Sequence, residues 1–153
     1  MAWLSTVPTA IDALVQAFTT APGLEGVQVQ DGPAVASQAA TRVLSVGWAG
    51  LFGEAVVDAQ SAPDGLAGSR SAEEYAIRCT AAVLMGSTGV QPARNAVYAI
   101  FSAAGAEIGR DQTLDHAVTR AYIGAHSLVP EQTDKGVQMN LVFEVNVEAF
   151  TRR

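Results

Sequence analysis

The sequence predicts an α+β fold in which about six mainly antiparallel strands pack against two α-helices. Three observations lead to this prediction. Residues 137–150 alternate between apolar and polar side chains, two other segments carry apolar residues at helical spacing, and several short apolar runs are separated by turn residues. Neither an internal repeat nor a shift in composition marks a boundary, so residues 1–153 are predicted to form a single domain.

The last strand, residues 137–150, carries the clearest pattern. Every odd position from Val137 to Ala149 is apolar, and five of the seven even positions are polar. This alternation predicts one buried face and one face in water. Fourteen residues span roughly 45 Å at about 3.3 Å per residue, whereas a compact chain of this size is about 40 Å across. The strand is therefore expected to coil across the whole domain or to reach a neighbour, which favours an oligomer.

Two helices are predicted from apolar stripes. Thr6 is the expected N-cap of the first helix, and Pro8 lies in its first turn. Its stripe consists of Ile11, Leu14, Val15 and Phe18. Pro92 opens the second helix, and its stripe consists of Val97, Ile100, Phe101, Ala104 and Ile108.

The remaining strands are predicted at residues 27–30, 42–48, 54–59, 74–84 and 117–128. Residues 54–59 are expected to form a hairpin with residues 42–48. Residues 117–128 are expected to pair with the last strand, with Ala121, Ile123 and Ala125 on the inner face. The composition of residues 61–70 predicts a flexible loop, and residues 129–136 are expected to turn the chain into the last strand.

Composition and charge exclude several classes of function. The net charge is −6 and no Lys/Arg-rich patch occurs, which argues against a protein that grips DNA through its phosphates. No stretch approaches the ~18 apolar residues of a membrane span, and the N-terminus lacks the pattern of a signal peptide. Only 16% of the residues are charged, so partners are expected to cover part of the surface.

The residues that carry chemistry in other proteins are few here. Cys79, the single cysteine, lies in register with an apolar row and is predicted to be buried and structural. His116 and His126 lack the spacing of metal ligands. Glu73 is adjacent to Glu74, and Glu144 lies roughly 13 Å along the strand from Glu148; solvated charges explain both pairs. No GxSxG, HExxH or CxxC motif occurs, so no catalytic, metal or cofactor site is predicted.

The segment around residues 47–53 has a glycine at every third position. Its spacing matches neither GxGxxG nor the P-loop, so these residues are expected to be turn glycines. Large apolar residues also occur in this predicted loop and in the loop at residues 61–70. A protein-contact surface and core packing both explain them. The candidate contact residues are Trp48, Leu51, Phe52 and Leu66.

Several segments together resemble a known family. They are an N-terminal amphipathic helix, VQVQDGP (27–33), VLSVGWAG (43–50), EEYAIRCTA (73–81), PARNAVYAIFSAAG (92–105) and SLVPEQTDKGVQMNLVFEVNVEAF (127–150). In order and local character these segments resemble the tail terminator proteins of long-tailed bacteriophages. The resemblance covers most of the chain.

The resemblance implies a structural protein without enzymatic activity or cofactor. Such proteins form a hexameric ring on the end of a finished tail tube, stop its growth and offer a docking face to the filled head. The implied partners are further copies of the chain, the tail tube protein and a head-completion or neck protein. The implied location is the head-proximal end of the virion tail, after assembly in the host cytoplasm.

A ring of this kind surrounds the channel through which genomic DNA passes without specific binding. An acidic chain suits such a channel, because like charge keeps phosphates from sticking. Glu144 and Glu148 are the candidate channel-facing residues, since they share one face of the last strand. The alternative is that they lie on an outer, solvated edge.

Three other interpretations of the whole chain remain at this point. The first is another virion component, either a tail-tube protein or a head-completion protein. The second is a small enzyme whose cleft is built from scattered residues, and the third is a dimeric ligand-binding α+β domain. A ring of six subunits favours a phage protein, whereas a monomer stabilised by a ligand favours the last two.

Overall fold

The computed structural model describes residues 4–33, 41–50, 53–63, 70–86 and 89–152, and it confirms the α+β prediction. Two helices pack against a six-stranded, mostly antiparallel sheet. The helices are α1 (Val7–Thr19) and α2 (Val90–Arg110). The strands are β1 (Gln28–Asp31), β2 (Arg42–Val46), β3 (Val57–Pro63), β4 (Arg70–Met85), β5 (Arg120–Thr133) and β6 (Gly136–Arg152).

The centre of the sheet is the antiparallel pair β4–β6. The two strands are in register from Arg70 opposite Arg152 to Met85 opposite Val137. The strand order is β1-β2-β4-β6-β5, and only β1 and β2 run parallel. The predicted pairing of the last strand with the strand before it is confirmed, because β5 lies beside β6 along most of its length.

The predicted hairpin between residues 42–48 and 54–59 is wrong. Both β2 and β3 pair with the same edge of β4, β2 ending at Val46 opposite Cys79 and β3 beginning at Val57 opposite Ile77. The two strands therefore lie end to end, and residues 47–50 and 53–56 leave the sheet between them. The predicted loop at residues 61–70 is also wrong in part, since residues 61–63 belong to β3 and Arg70 begins β4.

Both helices pack on one face of the sheet, which we call the covered face. Every odd residue of β6 from Val137 to Ala149 is buried there, as the alternation predicts. The Phe101 ring of α2 packs against Phe143 with 5.2 Å between ring centroids. From α1, Leu14 and Phe18 are fully buried, while Ile11 and Val15 are half-buried.

A β-bulge explains the poor alternation of β5. Ile123 is opposite Val145, but His126 is opposite Phe143, so two residues of β5 oppose Glu144 alone. The extra residue reverses which face each later side chain occupies, and Ala125 is exposed rather than on the predicted inner face. The predicted turn at residues 129–136 is right in place but too long. β5 continues to Thr133, and only two residues join it to β6.

The N-terminus of α1 is held by a buried carboxylate from β4. Thr6 is the N-cap as predicted, but its side chain makes no capping hydrogen bond. Instead its main-chain N–H and its hydroxyl both donate to Glu73 Oε1 at 2.8 Å, and the Ser5 hydroxyl donates to Oε2 at 2.5 Å. Glu73 is only 2% exposed. The prediction that Glu73 is a solvated charge is therefore wrong, because it satisfies donors at the start of a helix.

Candidate functional site: the open face of the sheet

The face of the sheet opposite the helices has no helix packed on it among the described residues, and we call it the open face. It carries the even residues of β4 and β6 and the side chains in register with them on the flanking strands. On β6 these residues are Gln138, Asn140, Val142, Glu144, Asn146, Glu148 and Phe150. All of them are half-buried except Phe150, which is exposed. The surface is a broad sheet of small and polar side chains.

Acidic groups outnumber basic groups on the open face. The carboxylates are Glu54, Asp58, Glu74, Glu131, Glu144 and Glu148, and the described guanidinium groups are Arg70, Arg78 and Arg120. Glu74 and Glu148 are directly opposite each other on neighbouring strands. Like charges in that relation are destabilising. The placement of Glu74 opposite Glu148 is therefore not explained by the stability of the subunit.

The predicted channel residues Glu144 and Glu148 both lie on the open face, as the alternation indicates. Glu148 lies 3.9 Å from Arg120, and its side chain remains 44% exposed. Glu144 is in register with Arg78 and lines a small cleft with it. Asp58 and Glu74 extend the acidic surface, and sequence reasoning did not select them. The polar even positions of the β4 segment were the signal for Glu74.

Arg78 holds the excursion, which comprises residues 47–50 and 53–56, at the edge of this face. Its carbonyl accepts the N–H groups of Gly47 and Trp48 at 2.9 and 3.0 Å, and its own N–H donates to Val56. Its guanidinium donates to the carbonyl of Ala55 and lies 3.7 Å from Glu54. The predicted turn glycines are confirmed, since Gly47, Gly50 and Gly53 have φ values of +73°, +83° and +88°.

A groove of about 490 Å³ lies between the excursion and the open face. Trp48 and Ala49 form one wall, Val129 and Glu131 of β5 form the other, and Thr80 and Val142 lie between them. The Thr80 hydroxyl donates to the carbonyl of Trp48 at 2.6 Å. Trp48 is half-buried, so its backbone is anchored while part of its surface stays available. The other candidate contact residues, Leu51, Phe52 and Leu66, lie outside the described residues.

The residues with potential for catalysis are separated from one another. Cys79 is fully buried, and burial raises the pKa of its thiol to about 12, so it is not a thiolate nucleophile near neutral pH. His126 lies 3.1 Å from the Tyr98 hydroxyl on the covered side, whereas His116 lies in the exposed turn after α2. No cluster of His, Cys, Asp and Glu suited to a metal ion occurs within the described ranges. Neither helix in those ranges combines the length and apolar character needed to cross a bilayer.

Comparison with known proteins assigns no family to this chain. No protein-family model matches the sequence, and the search of curated proteins found no match. The features that indicate a function are therefore the fold, the open face and the resemblance of the sequence segments.

Proposed function

We propose that this protein is a phage tail terminator, a ring-forming structural protein that caps the tail tube and stops its polymerisation. The observation that carries the proposal is the open face. It presents an acidic, helix-free surface along β4 and β6, the two longest strands of the sheet. A face of this kind suits the wall of a channel that DNA crosses without binding.

The carboxylates of the open face repel a passing phosphate backbone. Glu144 and Glu148 stand on the same strand face, and Asp58 and Glu74 lie beside Glu148 across the neighbouring strands. In a ring, copies of these side chains repeat around the axis. Because the Debye length is roughly 8 Å at physiological salt, the repulsion acts near the wall. DNA phosphates are kept from sticking, while the centre of the channel is largely screened.

The β5 edge of the sheet does not favour open-ended sheet growth. On the β5 edge, the Ala121 N–H already donates to the carbonyl of Gln112, a bulge follows Ile123, and Pro130 lacks a donor. These features hinder a second sheet from adding to β5. A terminator has to stop assembly, so a blunted edge is consistent with that role.

The proposed partners are further copies of this chain, the tail tube protein and a head-completion or neck protein. Trp48 and the neighbouring excursion, with Leu51, Phe52 and Leu66, are the proposed contacts to the last two. Trp48 forms a wall of the groove on the open face, and the groove is lined by both apolar and polar side chains. A groove of this composition fits an inserted segment of another protein. The proposed location is the head-proximal end of the tail.

Two measurements test the proposal. Native mass spectrometry of the purified chain should show a closed oligomer, with six copies expected. Added to growing tail tubes of the same virion, the protein should stop elongation and appear as a single ring at one end in electron micrographs. A monomer that does not bind tube ends would overturn the proposal. A ring that binds only to filled heads would indicate a neck protein instead.

A further inference from the structure

The helices and the sheet give the subunit two electrically different ends. Residues 9–17 of α1 line a groove together with the end of α2 and the turn that follows it, and these segments lie at one end of the molecule. The opposite end contains the start of α2, the start of β2 and the two-residue turn between β5 and β6. We call these the acidic end and the cationic end after the charge of their exposed side chains.

The acidic end contains a groove of about 750 Å³ between α1 and the turn that follows α2. Its floor is apolar and shallow, because Ala13, Ala17 and Ala117 are half-buried and Leu114 of the turn is buried. The α1 face that forms one side of the groove has no packing partner over it among the described residues. An apolar groove with small side chains leaves room for side chains of another protein.

Carboxylates surround this groove. Glu107 is paired with Arg110, so that pair adds no net charge. Asp12, Asp111 and Asp115 are exposed and have no ion-pair partner in the described part of the chain. Asp111 accepts hydrogen bonds from the Thr113 N–H and hydroxyl and from the Asp115 N–H, which lower the pKa of its carboxyl group. The groove is therefore negative at neutral pH.

The cationic end carries the complementary charge. Arg42, Arg94 and Lys135 are exposed there, and none has an ion-pair partner within the described ranges. The start of α2 adds to this charge, since it has no acidic residue in its first turn and no side-chain cap on Gly89. Its unpaired N–H groups give a partial positive charge of about half a unit. Asp134 and Glu131 are the acidic groups near this end.

We infer that the acidic groove of one subunit receives the cationic end of a second copy of the same chain, so that subunits associate head to tail. The interface joins two different surfaces of one chain, which generates a ring where the rotation between subunits closes. Arg94 and Lys135 provide the charge that meets Asp12 and Asp115. The closure into a ring rests on the proposed function, whereas the head-to-tail contact does not depend on that function.

The test is a charge exchange, measured by native mass spectrometry over a range of protein concentrations and at two salt concentrations. The groove variant carries Asp12→Lys and Asp115→Lys, and the end variant carries Arg94→Glu and Lys135→Glu. Each variant alone should raise the concentration at the midpoint of assembly by at least about tenfold, because like charges then face each other. The variant with all four substitutions should return to within about threefold of the unmodified protein.

A matched control and a folding measurement separate the outcomes. As the control for the groove variant, Asp58→Lys with Glu144→Lys makes the same change in net charge on the open face and should leave the assembly midpoint unchanged. Circular dichroism checks that each variant is folded. If the unmodified protein forms rings and neither charge-reversal variant shifts the assembly midpoint, the head-to-tail contact is overturned while the ring itself stands. Open chains that respond to the charge exchange would support the contact and overturn the ring.

Discussion

The two faces of β6 have the same backbone and opposite requirements. On the covered face, side chains from Val137 to Ala149 are at most 8% exposed and fill the space under two helices. On the open face, Glu144 and Glu148 stay in contact with water, and a neighbouring carboxylate faces Glu148. The side chains of the covered face are therefore constrained by the volume that they fill, and those of the open face by the charge that they carry. Substitutions on the two faces should consequently differ in what they change.

The largest effect is expected for Phe143→Ala on the covered face. Phe143 is fully buried against Phe101, so its removal leaves a cavity and should lower the free energy of unfolding by about 3–5 kcal/mol. Urea denaturation measures this loss. Asn146→Ala, on the other face of the same strand, should change stability by less than about 0.5 kcal/mol. Equal losses for the two variants would mean that the face assignment is wrong.

The next largest loss of stability is expected for Glu73→Ala, because Glu73 is a charged residue buried on the covered side. Glu73→Ala removes the acceptor for Ser5 and Thr6. A buried N–H without an acceptor costs about 1–3 kcal/mol, so a loss of about 2–3 kcal/mol is expected. Glu74→Ala, one residue away on the open face, is the control and should be within about 0.5 kcal/mol of the unmodified protein. Thermal unfolding followed by circular dichroism distinguishes the two, and a neutral Glu73→Ala would contradict the role of Glu73 at α1.

Alkaline pH should lower the stability of the folded chain through two buried groups on the covered side. Burial raises the pKa of the Cys79 thiol from 9.0 to about 12, with an opposing hydrogen bond from Gly47. Above pH 9 the unfolded chain releases a proton that the folded chain keeps. Stability therefore falls as pH rises towards 12, by at most about 1.4 kcal/mol per pH unit for one proton. Tyr75, whose pKa burial raises from 10.0 to about 12, adds to the fall only above pH 10.

Cys79→Ala should therefore flatten the decline in stability between pH 9 and pH 10, where Tyr75 still contributes little. Urea midpoints at pH 8, 9 and 10 measure the slope. Glu144→Gln on the open face is the control and should leave the slope unchanged. A slope that persists in Cys79→Ala would show that another group releases the proton.

The smallest effect on stability, and the largest on interaction with DNA, is expected for Glu144→Lys with Glu148→Lys. Both side chains lie on the open face, so stability should change by less than about 0.5 kcal/mol. The assembled double variant should retain double-stranded DNA at low salt and release it at high salt, because lysines neutralise phosphates and displace counterions. Glu25→Lys with Asp31→Lys, at two exposed positions off the open face, controls for net charge. If both double variants retained DNA equally, net charge and not the open face would explain the retention.

The regular parts of the fold were predictable because their residues repeat a pattern. Seven alternating apolar residues specified β6 and its buried face. The bulge in β5 was missed because one inserted residue reverses the alternation, although Gly124 in mid-strand is a signal for such a bulge. The partner of β3 was missed because strands close in sequence usually form hairpins, whereas β2 and β3 lie end to end along β4.

The burial of Glu73 was predictable from its position in the strand. Glu73 is two residues before Tyr75 and therefore in phase with the inner row of β4. Because Glu73 is adjacent to Glu74, both were interpreted as solvated charges. Neighbouring residues in a strand, however, point to opposite faces. The groove at the acidic end was not predictable in this way, because it forms between α1 and a turn more than ninety residues later in the chain. No local pattern connects the two.

The most direct test of the central claim is size-selective labelling of Glu144→Cys in the assembled protein. Cys79 is fully buried and gives a low background. If the open face lines the channel, the new thiol should react with a small maleimide but be protected from a large polyethylene glycol maleimide, while Ser102→Cys on the exposed side of α2 reacts with both. Equal reaction of Glu144→Cys and Ser102→Cys with the large reagent, in a ring shown to be intact, would place the open face on the outer wall and contradict the account.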